Sequence, residues 1–329
     1  MSAPIVLPDT PKILFLRQDR IGDVFVSTPV VRAVRNRYPN AEIHFLVSRN
    51  NIAADFALRQ CVNKVVVLRK SLPALAALLV TLRRERYDLV IDLNHTASTT
   101  SVMLRRAARA TNCIALETGR DQATTHAVPQ GDRSVRHIVD VLCDLTRPLG
   151  FLVSEHDRRP IVEPEEGIID VVSSKVRRGP SKKVLGVQIS GSSVDRMYPA
   201  EAMIEAMRMI AAHITDVAIV VLSAPSEEGT ARYVAEQTGA VYVQPGPTYQ
   251  HFAAAIASCD WLLSPDTAAI HVAAAHNIPC VVLFSRDHRG FLNWLPYKTY
   301  CDPVITDGSS LAAISPGIIA DKVIAMISR

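Results

Sequence analysis

Three short segments hold the residue types that could do chemistry. The first is Arg17-Gln-Asp-Arg-Ile-Gly-Asp23, where Gly22 permits a tight turn and Asp23 stands at a helix entrance. A carboxylate there could take a proton from a substrate hydroxyl. Asp is also a favoured N-cap, but Thr28-Pro29 offers a competing helix start, with Thr28 as cap and Pro29 in the first turn. The second is Ser190-Gly-Ser-Ser-Val-Asp-Arg196. Its small residues can bring backbone N–H groups near an anion, with Ser192 and Arg196 adding side-chain contacts. On local sequence alone the plainer reading, a flexible Gly/Ser turn, is favoured. The third is Ser264-Pro-Asp-Thr-Ala-Ala-Ile-His271. Asp266 and Thr267 stand at the mouth of a small-residue helix, Ala268 lets a ligand approach the backbone, and His271 lies one turn beyond Thr267. The alternative is an Asp-Thr cap and a core histidine.

Each segment directly follows an apolar run read as a strand: Lys12–Arg17, Val184–Ile189 and Trp261–Ser264. Further strands are expected at Glu42–Val47, Lys64–Leu68, Leu89–Asp92, Ala218–Leu222, Ala240–Val243 and Cys280–Phe284. Helical spacing marks Thr28–Tyr38, Leu72–Arg86, Ala97–Ala110, Val135–Leu149, Pro199–Ala212, Thr230–Thr238, Thr248–Ala257 and Ala268–His276, with a weaker helix at Ala53–Leu58. A terminal helix at Ser315–Ser328 could pack on either half. Met203, Met207 and Met209 are expected to pack a helix against a core. Alternation of this kind predicts an α/β fold with parallel sheets covered by helices. The proline- and glycine-bearing stretch 158–181 is the best linker, giving domains at 1–165 and 166–329 with a cleft between them. Ligands of such sheets bind at the carboxyl ends of the strands, where His95 also falls.

Composition sets further bounds. With 48% hydrophobic and 21% charged residues over 329 positions, the chain is an ordinary globular protein. Its apolar runs are far short of the roughly 20 residues that span a bilayer, and no signal peptide is visible at the N-terminus. The six cysteines show no Cys-x-x-Cys, which argues against a zinc site or a disulfide framework and suggests a reducing, cytosolic setting. No G-x-G-x-x-G or G-x-S-x-G occurs, which disfavours a nicotinamide dehydrogenase and a serine hydrolase. The net charge is only +4, yet residues 1–165 carry +6 and residues 166–329 carry −2.

Taken in order, these segments resemble glycosyltransferase family 9, the ADP-heptose:lipopolysaccharide heptosyltransferases. The resemblance lies in Gly22-Asp23, Thr28-Pro29 and Pro39-Asn-Ala41, in VLGVQISGSSVDRMYP, and in SPDTAAIHVAAAHNIPCVVLF. It implies a GT-B fold, two Rossmann-like parallel-sheet domains facing a central cleft. It also implies an inverting glycosyltransferase that uses no metal and no cofactor. Asp23 would be the general base. Ser192, Arg196, Asp266, Thr267, Ala268 and His271 would hold the nucleotide-sugar donor, expected to be ADP-heptose. The N-terminal domain would take the acceptor, an anionic glycolipid, through Arg20, His95, Arg105 and Arg106, at the cytosolic face of the inner membrane. The basic half then has a partner, and no nucleic acid is expected. Arg196 stands where the family often has Lys, Ala268 where it has Gly, and Ser285-Arg286-Asp287-His288-Arg289 where it has Gly-Pro-Thr. These departures leave open another nucleotide sugar, another glycan or protein acceptor, or a non-catalytic relative that binds a nucleotide sugar.

Overall fold

The apolar runs form two six-stranded parallel sheets in a computed structural model, which describes residues 3–96, 98–119, 122–178, 183–285, 291–306 and 308–329. The chain divides into two compact units, Met1–Ile161 and Val162–Arg329. The sequence-based boundary lies four residues later. The expected linker at 158–181 is not a bare connection, because it contains an 11-residue helix, Glu166–Val176. Buried Val172 and Val176 lie four apart on one face of that helix and outweigh the flanking prolines.

In the first unit the strands are β1 (Lys12–Leu16), β2 (Glu42–Ser48), β3 (Lys64–Leu68), β4 (Leu89–Asp92), β5 (Asn112–Leu116) and β6 (His126–Val128). Their order in the sheet is β3-β2-β1-β4-β5-β6. Ile13, Leu14, Phe15 and Leu16 are wholly buried, as helix-covered parallel strands require. Each such side chain contributes about 1.5–3 kcal/mol. The helices are α1 (Ile21–Arg37), α2 (Leu72–Glu85), α3 (Thr99–Ala108) and α4 (Ile138–Cys143). Leu78 and Leu82 of α2 and Leu104 of α3 share one core with Leu14, Leu46 and Val90. Residues 52–58 form a 3-10 turn instead of the expected α-helix. The predicted helix 135–149 shortens to α4 followed by a 3-10 segment that contains Pro148, whose nitrogen has no N–H to donate.

The start of α1 corrects the sequence reading. The helix begins at Ile21, so Gly22 is a helical residue, and Pro29 lies inside the helix. Proline there leaves the Phe25 carbonyl without its i+4 donor. The Thr28 hydroxyl donates to that carbonyl at 2.7 Å and accepts from the Ile161 N–H at 2.7 Å. The threonine thus repairs the helix where it was expected to cap it.

The second unit opens with α5 (Glu166–Val176). It continues with β7 (Lys183–Gln188), α6 (Ala200–His213), β8 (Val217–Leu222), α7 (Glu228–Thr238), β9 (Val241–Tyr242) and α8 (Tyr249–Ala257). It ends with β10 (Trp261–Pro265), α9 (Ala269–Ala275), β11 (Cys280–Ser285), β12 (Cys301–Thr306) and α10 (Pro316–Ile327). The strand order is β12-β11-β10-β7-β8-β9. The terminal helix α10 belongs to this unit: Ile319, Val323 and Met326 share a core with Met203, Met207 and Ile210 of α6. Met209 is 38% exposed and not a core residue, because it sits off the 203-207-210 face.

Both sheets reverse their strand order once, between β1 and β4 in the first and between β7 and β10 in the second. At such a point the loops leave in opposite directions and open a crevice beyond the strand ends. The three segments singled out by residue type follow β1, β7 and β10, and His95 follows β4.

Candidate functional site

At the reversal of the first sheet, Asp23 is fixed by the loop that follows β1. It is the third residue of α1 and only 6% exposed. One carboxylate oxygen accepts from the backbone N–H of Arg20 at 2.7 Å, and the Asp23 N–H donates to the Arg20 carbonyl at 3.1 Å. Asp23 therefore does serve the helix start, contrary to the sequence reading. Its other oxygen accepts from Arg17 at 2.8 Å. The Arg17 side chain is wholly buried, and its second terminal nitrogen donates to the Leu93 carbonyl. That nitrogen also lies 3.3 Å from His95 Nδ1. Asn51 donates to the Arg17 carbonyl at 2.8 Å and pins the loop from the β2 side. Burial, with help from the Arg17 and Arg133 cations, pushes the His95 pKa down from 6.5 to about 4. The imidazole is therefore neutral at neutral pH. An Nδ1 that accepts from a guanidinium places the ring proton on Nε2. Arg20, of which only the backbone is engaged here, is exposed.

Beside this cluster, at the ends of β4 and β5, lies a pocket of about 100 Å³. Asp92, Asn94, Ser101, Arg105 and Thr118 line it. Asp92 accepts from the Ser101 hydroxyl and from Asn94 Nδ2 at 2.6 Å, and Arg105 Nε lies 3.3 Å from the same carboxylate. Arg105 also donates to the Thr124 hydroxyl at 2.8 Å. Arg105 is buried and neutralised by Asp92, whereas Arg106 is exposed. The two arginines expected to act alike are thus separated by one step of the α3 helix.

The second sheet's reversal is built similarly. Ser264 of β10 donates to Gln188 of β7 at 3.1 Å, and Gln188 donates to the Ser190 carbonyl at 2.9 Å. Gly191 is required by close approach: a Cβ there would stand 2.3 Å from the Arg196 carbonyl oxygen. The loop folds back on itself as a 3-10 turn at Val194–Arg196. Ser192 is exposed, and the Arg196 guanidinium lies 3.6 Å from Asp266. That pair ties the loop after β7 to the loop after β10. Thr267 accepts from the Ala269 N–H at 3.3 Å, and Ala268 precedes the first residue of α9. His271 is buried, with its ring 6.1 Å from that of Trp294. Ser192, Arg196, Asp266, Thr267 and Ala268 are thus carried by the two loops of one sheet reversal. Of the departing loop, Ser285 ends β11, and Arg286–Arg289 lie outside the described residues.

The profile of glycosyltransferase family 9 (heptosyltransferase) matches residues 75–305. The chain belongs to this family. Solved structures agree on the fold. A family 9 glycosyl transferase from Veillonella parvula DSM 2008 has a TM-score of 0.79 at 17% identity, covering 99% of this chain and all of that one. ADP-heptose lps heptosyltransferase II of E. coli gives 0.72 at 18%, over 96% and 98%. E. coli heptosyltransferase WaaC with ADP gives 0.71 at 17%, over 95% and 98%. No curated protein matches the sequence significantly.

This family 9 glycosyltransferase has the GT-B fold expected from its sequence. Sequence reading missed Arg17, Asp92, Asn94 and Ser101. Arg17 stands in the first motif but reads as a strand end, and the three others gain meaning only from their contacts across the sheet. It also missed a cluster at the opposite, amino-terminal end of the first sheet. There Glu42, His44 and Glu85 come close enough to share an ion. The Lys12 ammonium already pairs with Glu42 at 3.2 Å and with Glu85, so it supplies the cation that the carboxylates need.

Proposed function

We propose that this glycosyltransferase moves a heptose from ADP-heptose to the lipopolysaccharide core, with inversion and without a metal. Asp23 accepts the proton of the acceptor hydroxyl. That oxygen bonds to the anomeric carbon as the bond from carbon to the diphosphate oxygen breaks and ADP leaves. Each Asp23 oxygen already holds one hydrogen bond, which orients the carboxylate and leaves it further lone pairs for the incoming proton. Arg196, Ser192 and the N–H groups at Thr267–Ala268 offset the charge that develops on the leaving diphosphate. Asp266 holds sugar hydroxyls, and His271 supports the donor subsite from within α9.

In this reading the first unit takes the acceptor, an anionic glycolipid, and the second takes the nucleotide sugar. Of the residues assigned to the acceptor, Arg20 and Arg106 are exposed cations, and neutral His95 offers a hydrogen bond. Arg105 contributes through the polar lining of its pocket and not as an unpaired charge. The enzyme works in the cytosol, with peripheral contact at the inner membrane. Among the described residues no helix is long and apolar enough to cross a membrane.

The observation that carries the proposal is the buried Asp23, doubly anchored where the first sheet reverses. Asp23→Asn is expected to lower transfer by about 10²–10⁴-fold while nucleotide binding stays unchanged. Full transfer in that variant would remove Asp23 as the base. Thermal-shift titration separates donors: stabilisation by UDP-sugars but not by ADP-heptose would replace the heptose reading with the other-donor reading that the 285–289 sequence motivates.

A further inference from the structure

We propose that Cys280 and Cys301 are a reversible redox pair that closes to a disulfide when a peroxide reaches Cys301. The two residues are directly opposed in register on the parallel strands β11 and β12. Neighbouring strands lie about 4.8 Å apart, inside the ~4.4–6.8 Å between Cα atoms that a disulfide takes. Directly opposed residues point to the same face of a sheet, so the two sulfurs share one side. The Cys280 N–H and thiol both face the Tyr300 carbonyl, at 3.0 and 3.7 Å, which holds the start of β11 beside the start of β12.

Exposure divides the labour between them. Cys61, Cys113, Cys143, Cys259 and Cys280 are buried, and Cys301 is half-buried. Cys301 is therefore the sulfur that an oxidant meets, and Cys280 is the partner waiting behind it. The Cys301 sulfur attacks the peroxide O–O bond, keeps one oxygen as sulfenic acid, and water leaves. The Cys280 sulfur then attacks the sulfenic sulfur. The S–S bond forms, and the departing hydroxide takes the Cys280 proton as a second water. Two thiols lose two electrons and two protons, and one peroxide becomes two waters.

Half-buried Cys301 leaves the bond within reach of thiol reductants. That suits a responsive bond rather than a permanent staple. The ring it closes contains Trp294, whose indole lies 6.1 Å from the His271 imidazole.

The test treats the full chain with stoichiometric hydrogen peroxide, blocks free thiols with N-ethylmaleimide, and maps peptides by mass spectrometry. The expected product is a linked peptide pair joining Cys280 to Cys301, two hydrogens lighter and restored by dithiothreitol. Cys301→Ser should yield no link. Cys280→Ala should leave a sulfenic acid on Cys301 that dimedone labels. Should the buried Cys280→Ala variant not fold, the wild-type link and its loss in Cys301→Ser decide the matter. Complete alkylation of both thiols after peroxide, or a Cys301 oxidised to sulfonic acid without any link, overturns the proposal.

Discussion

Arg17→Met tests the arrangement at Asp23 most directly. Methionine keeps much of the apolar stem and removes the guanidinium, whose nitrogen stands 2.8 Å from the Asp23 carboxylate. With charge centres about 4 Å apart and an effective dielectric near 20, the attraction lost is about 4 kcal/mol. Breaking one side of a buried ion pair costs about 3–5 kcal/mol, because the partner is left uncompensated. Both routes give a loss that is a large share of the roughly 5–15 kcal/mol that holds a typical domain folded. The Leu93 carbonyl also loses its donor, so His95 and the loop after β4 loosen together. Urea unfolding followed by circular dichroism should place the variant about 3–5 kcal/mol below the parent. Asp23→Asn leaves Arg17 uncompensated and should cost a similar amount, whereas the double variant should recover most of the loss. A coupling of about 3 kcal/mol is expected from that cycle. Strictly additive single losses would show that the two residues do not act as a pair. Transfer should fall about 10²-fold in Arg17→Met even where the protein remains folded, since the carboxylate loses its orientation.

Three further outcomes follow from the contacts. Unfolded His95 titrates near 6.5 and folded His95 near 4. Its neutral ring therefore stabilises the fold fully above pH 6.5, and that stability is lost as the pH falls toward 4. The full shift corresponds to at most about 3 kcal/mol, less with solvent screening, and His95→Gln should flatten the melting temperature across this window. Gly191→Ala drives a methyl group into the Arg196 carbonyl, so the loop must open. On the proposed donor assignment, ADP affinity should drop about tenfold by calorimetry, and an unchanged affinity would detach this loop from the nucleotide. Thr28→Val strips the Phe25 carbonyl and the Ile161 N–H of one shared partner, and chemical denaturation should report a loss of about 1–3 kcal/mol. A stable Thr28→Val variant would mean that Pro29 is tolerated without repair.

Much of the fold is legible in the amino-acid sequence. Alternating apolar and amphipathic segments reflect local periodicity, so most strands and helices and the two-unit plan follow from them. The Gly22-Asp23 and Asp266-Thr267 motifs are local too, since glycine freedom and helix-end chemistry act within a few residues. Periodicity failed where a side chain answered a backbone deficit. Thr28-Pro29 reads as a helix start, yet the hydroxyl that mends the broken ladder let α1 begin seven residues earlier. The strands β5, β6 and β12 were missed because Asn112, His126, Asp302 and Pro303 shorten or break their apolar runs.

What the amino-acid sequence determined alone is therefore the parts list: parallel strands, their helices, and three chemically equipped loops. The tertiary structure decided which loops meet. It set β4 beside β1 and β10 beside β7, and so made sheet reversals of the places where those loops emerge. It brought His95 to Arg17 across 78 positions. It gave Arg105 to Asp92, turning an apparent surface cation into part of a neutral pocket wall. The reason is that strand neighbours are chosen by burial over the whole unit, and charge is tuned by whatever that choice places within a few ångströms.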